Sequence, residues 1–251
     1  MNVTSILWEA RAALEGAGLY RHRGELDPTL RRGKGQPVLL VPGYLAGDRS
    51  LAPLAGRLQL LGYTPHCAAI SANVGCATRT TDRLARRLTA IAEAHGERVL
   101  IVGHSLGGLL GRLLAMRHPE LVRGVVGLGS PLVDLNAVHP LVWANVRLIG
   151  ALGDIGVPGV LSRSCLTGTC CAESRRLLRA PFPPEVGFVS IYSRSDGIVD
   201  WRACLDPDAE LVEVRSSHIG MALNPAVHRV LAERLADLCD EPLLPALRAA
   251  A

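Results

Sequence analysis

Short apolar runs alternate along the chain with stretches of helical period. Gln36 to Val41 (QPVLLV) is an uninterrupted apolar run ending at Pro42-Gly43, the pattern of a buried strand entering a turn. From Ser50 to Gly62, Leu51, Leu54, Leu58 and Leu61 share one helical face. Thr64 to Ile70 reads as a weak strand. Asp82 to His95 reads as an amphipathic helix with Leu84, Leu88, Ile91 and Ala92 as its stripe. Arg98 to Val102 (RVLIV) is a second buried strand, Leu106 to His118 a helix stopped by Pro119, and Val122 to Leu128 a third strand. Strands apolar on both faces, separated by helices, imply an α/β domain with a mostly parallel central sheet covered by helices on both sides.

The alternation breaks between Pro131 and Val186, where Gly, Pro, Leu and Cys are frequent and no clean period emerges. It resumes with strands at Gly187 to Tyr192 (GFVSIY) and Glu210 to Val214 (ELVEV) and a helix from Pro225 to Leu238. A long insertion in a compact domain is usually a lid or small subdomain. The expected division is an N-terminal helix and lead-in over 1–35, a core over 36–131 and 186–251, and a lid or cap over 132–185. In the lead-in, Ile6, Ala10, Ala13, Leu14 and Ala17 recur at helical spacing, which predicts a helix packing on the domain. Glu9, Arg11 and Glu15 interrupt its apolar residues, so it suits neither a secretory h-region nor a membrane span. A cytoplasmic location is the expectation.

Composition adds exclusions. With 49% hydrophobic residues in a chain of 251, disorder is ruled out. The 27 basic residues exceed the 23 acidic ones by a net charge of +4. That excess is spread out, with no basic blocks or interleaved aromatics, so nucleic acid is not an expected partner. The cysteines number seven: Cys165, Cys170 and Cys171 lie close together, while Cys67, Cys76, Cys204 and Cys239 are dispersed. No Cys-x-x-Cys or Cys/His pair has zinc-site spacing, so no metal ligand set is expected. The thiols read as reduced and buried, with one disulfide involving the cluster as the alternative.

The chemistry-bearing pattern is Gly103-His104-Ser105-Leu106-Gly107, a G-x-S-x-G pentad directly after the strand RVLIV and directly before a helix. That context is the one a nucleophile elbow requires. Gly103 and Gly107 are needed where side chains would strike neighbouring backbone, and Ser105 Oγ is held clear of the sheet above a helix N-terminus. His104 is read as support for the elbow. A serine hydroxyl needs a base, and the base an orienting acid. Asp196 follows the strand FVSIY closely and precedes a glycine; Asp200 and, more distantly, Asp134 compete for the role. His218 follows the last strand, while His228 lies within a helix and His139 in the insertion. The two donors for a carbonyl oxyanion are the backbone N–H groups of Leu106 and Tyr44, the latter after Pro42-Gly43.

With these residues in place, the chain resembles the α/β-hydrolase superfamily, within it the bacterial triacylglycerol lipase and esterase-like branch. The resemblance runs over most of 36–240 through VPGY, GHSLGG, LGSP, SRSDGIV and SSHIGM. It implies that Ser105, Asp196 and His218 form a triad, Tyr44 and Leu106 an oxyanion hole, and Leu132 to Pro184 a lid. Pro42-Gly43 stands where many such lipases carry His-Gly, and the cysteine-bearing insertion is unusual. The expected activity is serine-dependent hydrolysis of small-molecule or lipid-like esters through an acyl-enzyme, without a cofactor. Trp143, Leu148 and Leu152 of the insertion are candidates for the acyl pocket, with contact at a lipid interface as a further expectation. An acyltransferase or thioesterase using the same triad, and a ligand-binding protein with an idle triad, are the alternatives.

Overall fold

The strand pattern predicted from the apolar runs closes into one sheet. A computed structural model describes residues 9–21 and 27–240. Ile6 and the outer ends of the 1–35 and 186–251 divisions lie outside the described residues. The strands are β1 (Pro37–Val41), β2 (Thr64–Cys67), β3 (Val99–His104), β4 (Val122–Leu128), β5 (Gly187–Tyr192) and β6 (Glu210–Glu213). They pair in the order β2-β1-β3-β4-β5-β6, every pair parallel. The interior strands are buried on both faces, as their unbroken apolar sequences require, whereas β6 at one edge is mostly exposed.

Side-chain alternation sorts those strands between two cores. Val38 and Leu40 of β1 face the same core as Leu54 and Leu58 of α2 (Ala52–Leu60) and Leu231 and Leu235 of α8 (Pro225–Asp240). Leu39 and Val41 face the other, against Leu84 and Leu88 of α3 (Ala77–His95) and Leu110, Leu113 and Leu114 of α4 (Leu106–Arg117). Each fully buried Leu contributes about 1.5–3 kcal/mol from apolar burial. α3 starts at Ala77, not Asp82: its first turns are built from Thr80 and Thr81, which are polar yet buried, so the apolar stripe begins later than the helix. A buried ion pair, Arg112 Nε to Asp206 Oδ2 at 3.0 Å, ties α4 to the loop before β6.

The insertion between β4 and β5 is helical, with α5 (Pro140–Asp154), α6 (Arg163–Thr167) and α7 (Ala172–Leu177). It is fastened to the domain by the Leu161 N–H donating to Val74 O at 2.8 Å and the Tyr44 hydroxyl donating to Asn145 Oδ1 at 2.9 Å. Two sequence expectations change here. α1 (Ala12–Arg21) does form, but Ala10, Ala13, Leu14 and Ala17 are exposed. The segment docks through Glu9 and Ala12, which are buried, and through half-buried Glu15. Cys76, expected to stand apart, joins Cys165, Cys170 and Cys171; all seven cysteines are free thiols. Among the described residues no helix is long and apolar enough to cross a membrane.

Candidate active site

A wholly parallel sheet gathers its strand C-termini along one edge, so the loops after β1, β3, β5 and β6 share that edge. The loop after β3 is the sharpest. Ser105 has φ 53° and ψ −120°, a left-handed φ that costs a residue with a side chain about 1–3 kcal/mol. Its N–H is anchored to Leu128 O at 2.8 Å. The flanking glycines are obligatory on contact grounds. A Cβ on Gly107 would lie 2.0 Å from Val41 O, and one on Gly103 would lie 2.2 Å from Gly108 N.

Asp196 and His218 are brought together by the loops after β5 and β6. His218 Nδ1 donates to Asp196 Oδ2 at 2.7 Å, and both side chains are almost wholly buried. Asp196 Oδ1 is held in turn by the N–H groups of Ile198 at 2.8 Å and Val199 at 2.7 Å. The rival carboxylates are engaged elsewhere: Asp200 caps the turn at Trp201–Cys204 through the Arg202 N–H, and exposed Asp134 accepts from the Asn136 N–H. His139 caps α5, and His228 bonds Ala222 O, so both serve local structure as their sequence positions suggested.

Burial draws the His218 pKa down, but the charge of Asp196, the hydrogen bond to it and the charge of Glu9 outweigh that effect, and the net shift is upward from the ordinary histidine value. Because Nδ1 faces a carboxylate, the neutral ring keeps its proton there and presents Nε2 as the basic nitrogen. His104 is the opposite case. Burial first, and the neighbouring His218 second, lower its pKa to about 4, so it stays neutral near pH 7. Its Nε2 lies 2.9 Å from His218 O and must donate to it, which ties the elbow to the histidine loop. Among the described residues no hydrogen bond yet joins Ser105 Oγ to His218; such links commonly tighten only around substrate.

The predicted oxyanion donors also lie at this edge. Gly43 packs directly on the elbow, where a Cβ would stand 3.1 Å from Ser105 Cβ. Among the described residues neither the Tyr44 nor the Leu106 N–H has a hydrogen-bond partner. Asn73, which sequence reasoning passed over, secures this loop by donating from Nδ2 to Pro42 O at 2.8 Å. Trp143 and Leu152 are half-buried and Leu148 is exposed, all on α5; the Trp143 indole N–H donates to Asn136 O. A groove of about 510 Å³ between β2 and α3, lined by His66, Ile70, Leu84 and Arg87 among others, contains none of the triad candidates.

Three further residues hold the site. Gly129, with φ 57°, lies against the Asp196–His218 pair: a Cβ there would meet Asp196 Oδ2 at 3.1 Å and His218 Nδ1 at 3.2 Å. Glu9 Oε1 accepts from the N–H groups of Gly197 and His218, both at 2.9 Å, and Oε2 accepts from Ile219 N–H at 2.9 Å. One buried carboxylate thus spans the loop of Asp196 and the loop of His218. Glu15 braces the next residues, accepting from the Ser217 N–H at 3.1 Å and the Ser217 hydroxyl at 2.5 Å. The sequence signal for both was their interruption of an apolar helix, which in the sequence argues only against a secretory h-region or a membrane span.

A family model described as alpha/beta hydrolase fold matches residues 36–148. A "putative carbamate hydrolase" of Azorhizobium caulinodans is 31% identical over 112 residues, covering 42% of this chain and 42% of that protein. A "probable alcohol acetyltransferase" of Cyberlindnera fabianii is 25% identical over 177 residues, covering 61% of this chain and 47% of that protein. The chain thus spans less than half the length of these curated relatives. Among solved structures, the mature form of a Bacillus licheniformis lipase superposes with a TM-score of 0.62 at 17% identity, over 84% of this chain and 96% of that one. The six-stranded parallel sheet, its helices on both faces and these likenesses identify the chain as a protein of the α/β-hydrolase fold.

Proposed function

We propose that the chain is a serine hydrolase that cleaves carboxylic esters. The observation that carries this reading is a serine in left-handed backbone geometry at a strand-to-helix elbow, on the same sheet edge as a buried aspartate–histidine pair bonded at 2.7 Å. Ser105 attacks the ester carbonyl while His218 Nε2 takes its proton. Asp196 keeps the ring in the Nδ1–H form and favours the imidazolium that appears. The N–H groups of Tyr44 and Leu106 receive the oxyanion. His218 then protonates the departing alkoxide, and water, deprotonated by the same nitrogen, releases the acid from Ser105.

The preferred substrates in this reading are lipid-like or acyl esters. Its support is the insertion over 132–185, which acts as a lid: Leu141, Leu148, Ile155 and Val157 are exposed there, and Trp143, Leu148 and Leu152 of α5 supply the acyl wall. Ser105→Ala is expected to abolish hydrolysis of p-nitrophenyl esters with the fold intact by circular dichroism; undiminished turnover overturns the reading. The acetyltransferase likeness favours one second reading, in which an alcohol in place of water accepts the acyl group. Ester formation on adding alcohols, measured against acid release, separates the two.

A further inference from the structure

Cys76, which sequence spacing sets apart, converges with the clustered Cys165, Cys170 and Cys171 on one point at the base of the insertion. Cys76 is the N-cap residue of α3, Cys165 lies in α6, and Cys170 and Cys171 lie in the 3-10 turn Thr169–Cys171. Their sulfur atoms all fall within 4.8 Å of one another. The nearest pairs are Cys76 to Cys170 at 3.4 Å, Cys76 to Cys171 at 3.6 Å and Cys165 to Cys170 at 3.7 Å. A tetrahedral zinc centre with Zn–S bonds of about 2.3 Å has sulfur-to-sulfur edges of about 3.8 Å. The four side chains therefore stand near the corners such an ion requires, whereas a disulfide needs about 2.05 Å.

We propose that Cys76, Cys165, Cys170 and Cys171 bind one Zn²⁺ in a closed tetrathiolate site that fastens the insertion to the hydrolase core. This departs from the expectation of no metal, which rested on the absence of paired Cys-x-x-Cys or Cys/His units. Here one ligand comes from the core, 94 positions upstream of Cys170, and the adjacent Cys170 and Cys171 both face the centre because a tight turn carries them. Zn²⁺ replaces the four thiol protons, which pass to solvent, and leaves a centre of net charge −2. The surroundings suit that charge. Cys76 sits at the N-terminus of a 19-residue helix, the end of a helix that favours nearby negative charge. Arg175 wraps the other ligand turn through the carbonyls of Cys165, Leu166 and Gly168. Cys76, Cys165 and Cys171 are buried with Leu161, and Tyr44, Val146 and Ile149 pack around them, an apolar shell on the inner side of a centre whose fourth corner, Cys170, is exposed. With four protein ligands no coordination position is open, so the role is structural and stands whether or not Ser105 is a nucleophile.

The test uses the full chain purified under reducing conditions with zinc present and then dialysed free of excess metal. The expected result is about one zinc per chain by mass spectrometry of the metal. Exchange to Co²⁺ is expected to give the absorption of a tetrahedral tetrathiolate, with thiolate-to-cobalt charge transfer. Cys170→Ser, at the exposed corner and so the variant best able to fold, should lose most of the bound metal, and Cys67→Ser should keep it. Chelation should lower the thermal midpoint of the wild type and leave that of Cys170→Ser unmoved. Absence of stoichiometric metal with seven titratable thiols overturns the proposal. So does a pair of disulfides found by intact mass, or metal retained equally by Cys170→Ser and Cys165→Ser.

Discussion

Glu9→Gln tests whether the N-terminal segment holds the loops that carry Asp196 and His218 in register. The substitution preserves shape and removes one charge. Two of the three N–H donors meet Oε1 and the third meets Oε2. The amide will therefore place its oxygen toward Gly197 and His218 and its NH₂ toward the Ile219 N–H. That last hydrogen bond is lost outright, and a bond to a charged group is worth about 1.5–3 kcal/mol. The corresponding increase in local opening is about 10- to 150-fold, read as faster amide exchange at Ile219. A second readout separates electrostatics from simple loosening. Glu9 is one of the charges that raise the His218 pKa, so its removal lowers that pKa and more of the base is free at mildly acid pH. The acidic limb of the kcat/KM–pH profile is expected to move to lower pH while the plateau falls. Unchanged exchange at Ile219 together with an unmoved acidic limb would refute the reasoning.

Other consequences follow from the same contacts. Asp196→Asn keeps an acceptor for the Ile198 and Val199 N–H groups but removes the charge opposite His218, and kcat should fall by about 10⁴-fold with little change in KM; a loss under tenfold contradicts the assignment. Arg112→Leu leaves Asp206 buried without its cation and strips a donor from the Leu178 carbonyl, a cost of about 3–5 kcal/mol. In a chain of this size that lowers Tm by roughly 6–20 °C by differential scanning fluorimetry, and a shift under about 2 °C argues against it. Burial lowers the pKa of His228 to about 4 from an unfolded value of 6.5. Between those values the unfolded chain binds the proton and the folded one does not, so stability falls as pH drops through that window, by about 2 kcal/mol at pH 5. His228→Gln should flatten this part of the stability–pH curve in urea titrations, and an unaltered slope refutes the source.

The elements with a strict period were legible in the sequence. The buried strands of the sheet announce themselves as unbroken apolar runs, and the pentad around Ser105 is informative because a strand precedes it and a helix follows. Asp196 and His218 were reachable through their places after later strands, since a parallel sheet brings those loop positions to one edge. α5 left no stripe to read, because Leu141 and Leu148 are exposed and Gly150 is the buried residue of that helix. The docking face of α1 was misread for a related reason: apolar spacing pointed to Leu14, yet the segment is fixed by carboxylates accepting backbone N–H groups, a bonding pattern with no hydrophobic period. Three members of the thiol cluster lie together in the sequence, but the fourth was invisible because Cys76 reaches it through the fold and not through sequence neighbours.

The central claim is that Ser105 is an activated nucleophile. Treating the protein with a fluorophosphonate, followed by intact mass and peptide mapping, tests it without any choice of substrate. The account predicts one adduct per chain, on Ser105, absent in Ser105→Ala and formed much more slowly in His218→Ala. A wild-type protein that remains unlabelled, or is labelled on another residue at the same rate in all three proteins, contradicts it.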